Sequence, residues 1–79
     1  MYTIYTRDGC GFCEMAKQIM QEKGILYKEI NIWEDADGMN FMKENNHRTV
    51  PQILDENDFL IGGYTQLNEF IHRKSNQWN

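Results

Sequence analysis

The sequence predicts an α/β domain: a four-stranded mixed sheet flanked by three helices, with helices on both sides. Three observations lead there. A β-rich segment, an amphipathic run and a second β-rich segment follow one another within about thirty residues, which is a βαβ unit with parallel strands and a right-handed crossover. Further on, "PQIL" and "FLIGG" flank the polar "DEND", the pattern of an antiparallel hairpin. A third amphipathic stretch follows the hairpin.

Each element has its own justification. Residues 2–6, "YTIYT", are β-branched and aromatic, as a strand requires. From Phe12 the period changes, and Phe12, Met15, Ala16, Ile19 and Met20 fall at helical spacing with Glu14, Lys17, Gln18 and Gln21 opposite. Gly24 is a natural stop for that helix. "ILYKEINI", 25–32, reads as the second strand. Residues 34–45 form a weaker helix, with Met39 and Met42 on one face and Gly38 as a liability. In the last helix Thr65 is placed to cap, and Leu67, Phe70 and Ile71 share a face.

Composition bounds the function. Seventy-nine residues, 41% hydrophobic and 13% aromatic, suffice for one small core, and no linker, repeat or low-complexity segment breaks the chain. A single domain over residues 1–79 is expected. A net charge of −4, with the eight Lys and Arg residues scattered, argues against a nucleic-acid partner. Glu34, Asp35 and Asp37 are the densest charge cluster, suited to the positive end of a helix. No stretch approaches the ~20 apolar residues of a membrane span. "MYTIYT" lacks the basic and apolar regions of a signal peptide, so a cytoplasmic location is expected.

The only two cysteines stand three apart in "RDGCGFCEMAK". Cys-x-x-Cys in a chain without an export signal reads as catalytic or metal-binding. Cys10 ends the loop after the first strand, and Cys13 lies in the first turn of the helix, where free backbone N–H groups and the dipole stabilise a thiolate. Such a site lowers a cysteine pKa from about 8.5 to the range ~3.5–7.5. The i, i+3 spacing puts Cys13 within reach of a disulfide, and Arg7 adds positive charge. Two alternatives stand beside the redox reading: buried free cysteines as core fillers, and a structural zinc. Zinc needs four ligands, and His47 and His72, the only histidines, lack finger spacing; His72 reads as solvated.

"YTRDGCGFC", "TVPQIL" and "IGGYTQL", in order and at the family's spacing, resemble glutaredoxins over almost the whole chain. The resemblance implies the thioredoxin fold, sheet order 2-1-3-4, a cis bond before Pro51, Cys10 as nucleophile and Cys13 as resolving thiol. It also implies a glutathione groove. Arg7 stands where the family usually has lysine, beside a glutathione carboxylate, and arginine adds a bidentate fork; Arg48 is a second candidate for a carboxylate. Thr49-Val50-Pro51 would offer the Val50 backbone to the cysteinyl segment as an added strand does. Gly63-Tyr64-Thr65-Gln66 would present backbone amides to the γ-glutamyl carboxylate. Read from the residues alone, Pro51 also fits an edge-strand start, and Gly62-Gly63 a simple bend.

Three positions depart from the family pattern. Gln66 stands where Asp is common, Phe12 where Tyr is usual, and Gly11 replaces the proline of Cys-Pro-Tyr-Cys. Cys-Gly-Phe also resembles the start of the monothiol Cys-Gly-Phe-Ser motif, whose members bind a glutathione-ligated [2Fe–2S] cluster, whereas Cys13 returns the chain to the dithiol class. The resemblance therefore implies a monomeric dithiol glutaredoxin that reduces protein disulfides and glutathione mixed disulfides, with glutathione as reductant and ribonucleotide reductase within the family's partner class. A cluster-binding glutaredoxin and a redoxin served by a flavoprotein reductase are the alternatives.

Overall fold

In the computed structural model the chain runs β1 (Tyr2–Thr6), α1 (Gly11–Glu22), β2 (Tyr27–Asn31), α2 (Ala36–Glu44), β3 (Gln52–Leu54), β4 (Leu60–Gly62) and α3 (Tyr64–Asn76). The structure describes residues 1–76. The strands form one sheet in the order β2-β1-β3-β4, with β1 parallel to β2, β1 antiparallel to β3, and β3 antiparallel to β4. This is the thioredoxin-type topology that the glutaredoxin resemblance implies.

All five residues of β1 are buried, as befits a strand covered on both faces. Its alternation divides the core in two. Tyr2 and Ile4 pack with Ala16 and Met20 of α1, Ile53 of β3, and Leu67 and Ile71 of α3. Tyr5 points to the other side, where Ile32, Leu54 and Met42 of α2 meet it. There the Tyr5 ring stacks on Phe41 at 4.4 Å. Helices α1 and α3 therefore cover one face and α2 the other.

Several details differ from the sequence reading, each for a physical reason. The inward stripe of α1 is Cys13, Ala16 and Met20, so Phe12 and Met15 are exposed; counting Cys13 among the apolar residues rotates the face. Ile25 belongs to the end of α1 instead of β2. Its N–H donates to the Met20 carbonyl at 2.8 Å and the Gly24 N–H to Gln21 at 3.1 Å, a Schellman cap with Gly24 at φ +69°. Helix α2 starts two residues late, because Asp35 caps it by accepting the Gly38 N–H at 3.0 Å. Gly38 itself is no liability: a Cβ there would meet Ile30 Cγ2 at 2.6 Å, so the glycine is what lets α2 approach β2.

Thr65 does not cap α3. The helix begins at Tyr64, and Gln66 Oε1 reaches back to accept the Gly63 N–H at 3.0 Å, half of a capping box. The bend before it is carried by Gly62 at φ +122°. In the hairpin Asp55 Oδ1 accepts the N–H groups of Asn57 and Phe59 at 2.8 and 3.0 Å, which closes the turn and leaves three-residue strands.

Candidate active site

The end of β1 delivers the chain to a short loop, Arg7 to Gly9. Gly9 adopts φ +71°, and Asp8 Oδ1 accepts a hydrogen bond from the Asn31 amide at 2.7 Å, tying the loop to the end of β2. Cys10 follows in extended conformation as the N-cap of α1, and its Sγ accepts the Cys13 N–H at 3.1 Å. The two cysteines are joined by a disulfide with a Cα–Cα distance of 5.2 Å. Cys13 is fully buried, whereas Cys10 is 9% exposed. Opposite them, Cys10 Sγ lies 3.7 Å from the Val50 carbonyl oxygen, beside the cis Val50–Pro51 bond.

Two clefts meet at Arg7. One, of about 450 Å³, lies between the end of α2 and the Thr49-Val50 segment, and Arg7, Trp33 and Arg48 contribute to its walls. The other, of about 440 Å³, includes Cys10, Gly11, Lys17 and Glu29. The Arg7 guanidinium sits over the Trp33 ring at 5.8 Å, a cation–π contact that orients it. On the third side of the cysteines Phe12 pairs with Tyr64, ring centroids 6.2 Å apart. Gly63 packs beside Pro51: a Cβ at Gly63 would lie 3.6 Å from the Pro51 carbonyl oxygen.

The structure thus brings Arg7, Arg48, Thr49 and Val50 to one cleft, Cys10 to Val50, and Phe12 to the start of α3. Thr65 and Gln66 are exposed there. As in any helix, the first-turn amides of α3 have no partner within the helix, but the Gly63 amide is engaged by Gln66. The sequence reading missed Trp33 and Lys43 in the first cleft, and Lys17 in the second. Lys17 bridges Glu14 at 2.6 Å and Glu29 at 3.2 Å, while Glu29 also accepts the Thr6 hydroxyl at 2.7 Å. The hydrogen bond to Glu14 raises the Lys17 pKa, partly opposed by desolvation and reinforced by Glu29. His72 is exposed, its Nδ1 2.8 Å from the Asn68 carbonyl. Among the described residues no three His, Cys, Asp or Glu side chains are grouped to hold a metal ion, and no helix is long and apolar enough to cross a membrane.

A disulfide across the start of the first helix of a four-stranded thioredoxin-type sheet defines a dithiol redoxin. The family model for glutaredoxin matches residues 2–59. The glutaredoxin-like protein NrdH of Lactococcus lactis subsp. cremoris is 31% identical over 64 residues, covering 81% of this chain and 88% of that protein. Hybrid peroxiredoxin hyPrx5 of Haemophilus influenzae is 34% identical over 69 residues, or 87% of this chain, which spans only 28% of that longer protein. Among solved structures, glutaredoxin 1 from Francisella tularensis, complexed with cacodylate, superposes with a TM-score of 0.78 at 36% identity, covering 95% of each chain. The chain belongs to the glutaredoxin family.

Proposed function

We propose that this chain is a glutathione-dependent dithiol oxidoreductase acting on protein disulfides and glutathione mixed disulfides. The observation that carries the reading is the asymmetry of the two sulfurs: Cys10 caps α1 and keeps some exposure, while Cys13 is buried behind it. The Cys10 thiolate attacks one sulfur of the substrate disulfide and expels the other as a thiolate. The Cys13 thiolate then attacks Cys10 Sγ, releasing the second substrate thiol and leaving the Cys10–Cys13 disulfide. Two glutathione molecules reduce that disulfide and leave as glutathione disulfide.

In this reading Arg7 and Arg48 pair with the glycyl carboxylate of glutathione, Val50 pairs with its cysteinyl backbone, and Tyr64, Thr65 and Gln66 offer first-turn amides to its γ-glutamyl carboxylate. Residues 1–79 act as one domain and as a monomer, in the cytoplasm, and ribonucleotide reductase is a candidate protein substrate by family role. A second reading, reduction by a flavoprotein reductase, has two supports: the similarity to a glutaredoxin-like NrdH protein, and the Gln66 side chain, whose oxygen already takes the Gly63 amide beside the proposed carboxylate site. An assay with glutathione, glutathione reductase, NADPH and a small mixed disulfide separates them. Steady turnover is expected. Turnover only when a flavoprotein thiol reductase replaces glutathione would install the second reading.

A further inference from the structure

The cleft between α2 and the Thr49-Val50 segment is lined by more residues than those proposed to hold glutathione. It extends from Val50, next to the Cys10 sulfur, past Arg48 to Met39 and Lys43 on α2. Met39 to Lys43 alone covers about 6 Å of helix. Glutathione places a single glycyl residue after its cysteine, a reach of about 3.5 Å. A polypeptide bound in the same direction would run on into the remaining length.

The charge of this cleft is opposite to that of the chain. The protein carries 12 acidic and 8 basic residues. The cleft nevertheless draws Arg7, Lys43 and Arg48 into its lining and no carboxylate at all. The chain is turned back to make it: after α2 the His47 N–H donates to the Met42 carbonyl at 2.8 Å, and Asn46 takes φ +57°, which leads His47 and Arg48 back along the same side as Lys43. The Trp33 ring, 58% exposed, and the Met39 side chain give the cleft an apolar wall between these cations.

We propose that this cleft docks the segment of a protein substrate that follows the reacting cysteine, and that it selects acidic side chains there. The proposal rests on Cys10 being the attacking sulfur and on the glutathione direction given above. A substrate cysteine bonded to Cys10 Sγ lies at the Val50 end of the cleft, so the next residues meet Arg7 and Arg48, and those beyond meet Lys43. Charge complementarity across such a rim acts on encounter and register, and it weakens as salt rises.

The test uses the full chain, reduced and freed of reductant, in single turnover with symmetrical disulfides of short synthetic peptides. In that reaction the protein dithiol becomes the Cys10–Cys13 disulfide and the peptide disulfide becomes two peptide thiols, so neither glutathione nor a reductase is needed. The peptides differ only in the two residues after cysteine: Asp-Glu, Ser-Ser or Lys-Lys. A fourth carries Asp-Glu before the cysteine and Ser-Ser after it. At low salt the acidic-after peptide should react about tenfold faster than the basic one, the size expected of two exposed ion pairs. Lys43→Glu should remove or invert that ratio, and Lys43→Arg should keep it. Each protein is compared with itself, so a general loss of reactivity cancels. Equal rates for the three peptides, a ratio unmoved by Lys43→Glu, or an acidic-before peptide as fast as the acidic-after one would overturn the proposal. A reduced protein that reacts with none of the peptides would contradict the oxidoreductase reading itself, and the docking proposal with it.

Discussion

Cys10 Sγ accepts the backbone N–H of Cys13 at 3.1 Å, so the sulfur proposed to attack substrates is also the cap of the helix that carries its partner. Reactivity and helix stability therefore meet in one atom. Serine is a good N-cap and alanine a poor one, with a typical difference of about 0.5–2 kcal/mol. Both Cys10→Ser and Cys10→Ala should be inactive. Compared with the parent under reducing conditions, only Cys10→Ala should lose stability by about that amount in urea unfolding. Equal stability of the two variants would mean the sulfur contact does not hold the helix start.

Arg7 belongs to both clefts and is held over Trp33. If it pairs with the glycyl carboxylate of glutathione, Arg7→Glu should raise KM for a glutathione mixed disulfide about tenfold, with the larger effect on KM than on kcat. An unchanged KM would remove Arg7 from the binding groove.

Gly38→Ala tests the closeness of α2 to the sheet. Alanine gains up to about 1 kcal/mol of helix propensity, but its Cβ would press on Ile30 Cγ2, a branched side chain with little freedom to move. Overpacking of this kind costs about 1–3 kcal/mol, so the variant should melt below the parent. A rise in Tm would show that α2 can shift outward freely.

Tyr5 is buried, and burial, with smaller effects from Asp58 and Asp35, raises its pKa. In the unfolded chain the phenol ionises near its ordinary value of about 10. Above that pH the unfolded state releases a proton that the folded state still holds, so folding stability falls as pH rises from about 10 through the folded-state pKa. Lys17, also raised, acts with the same sign in the same alkaline window. Tyr5→Phe keeps the ring on Phe41 and should flatten the loss of stability above pH 10, as measured by denaturant melts across that range. An identical alkaline slope in the variant would assign the effect elsewhere.

The strand and helix order was readable in the sequence because each element carries its own local period, and the βαβ unit left only one handedness. The thiol pair was equally readable, since its spacing and its position at a helix start are both local. What escaped was set by contacts between distant segments. Gly38 resembles a weak point until Ile30 is seen above it, and Phe12 reads as core until Cys13 is counted in the inward stripe. Trp33 and Lys43 carry no motif, and only the folding of α2 beside the β1–α1 loop brings them together with Arg7. At α3 the error was one of cap chemistry: Thr65 had the right side chain, but Gln66, three residues beyond Gly63, completed the cap.

Cys10 is proposed to attack and Cys13 to resolve. The most direct measurement is mass spectrometry of the single-thiol variants after brief exposure to glutathione disulfide near neutral pH. Cys13→Ser should accumulate one glutathione on Cys10 rapidly, because the remaining sulfur caps the helix and belongs to the less buried of the two cysteines. Cys10→Ser should stay largely unmodified, because the Cys13 sulfur is buried. Equal rates of modification, or faster modification of Cys13, would contradict the account.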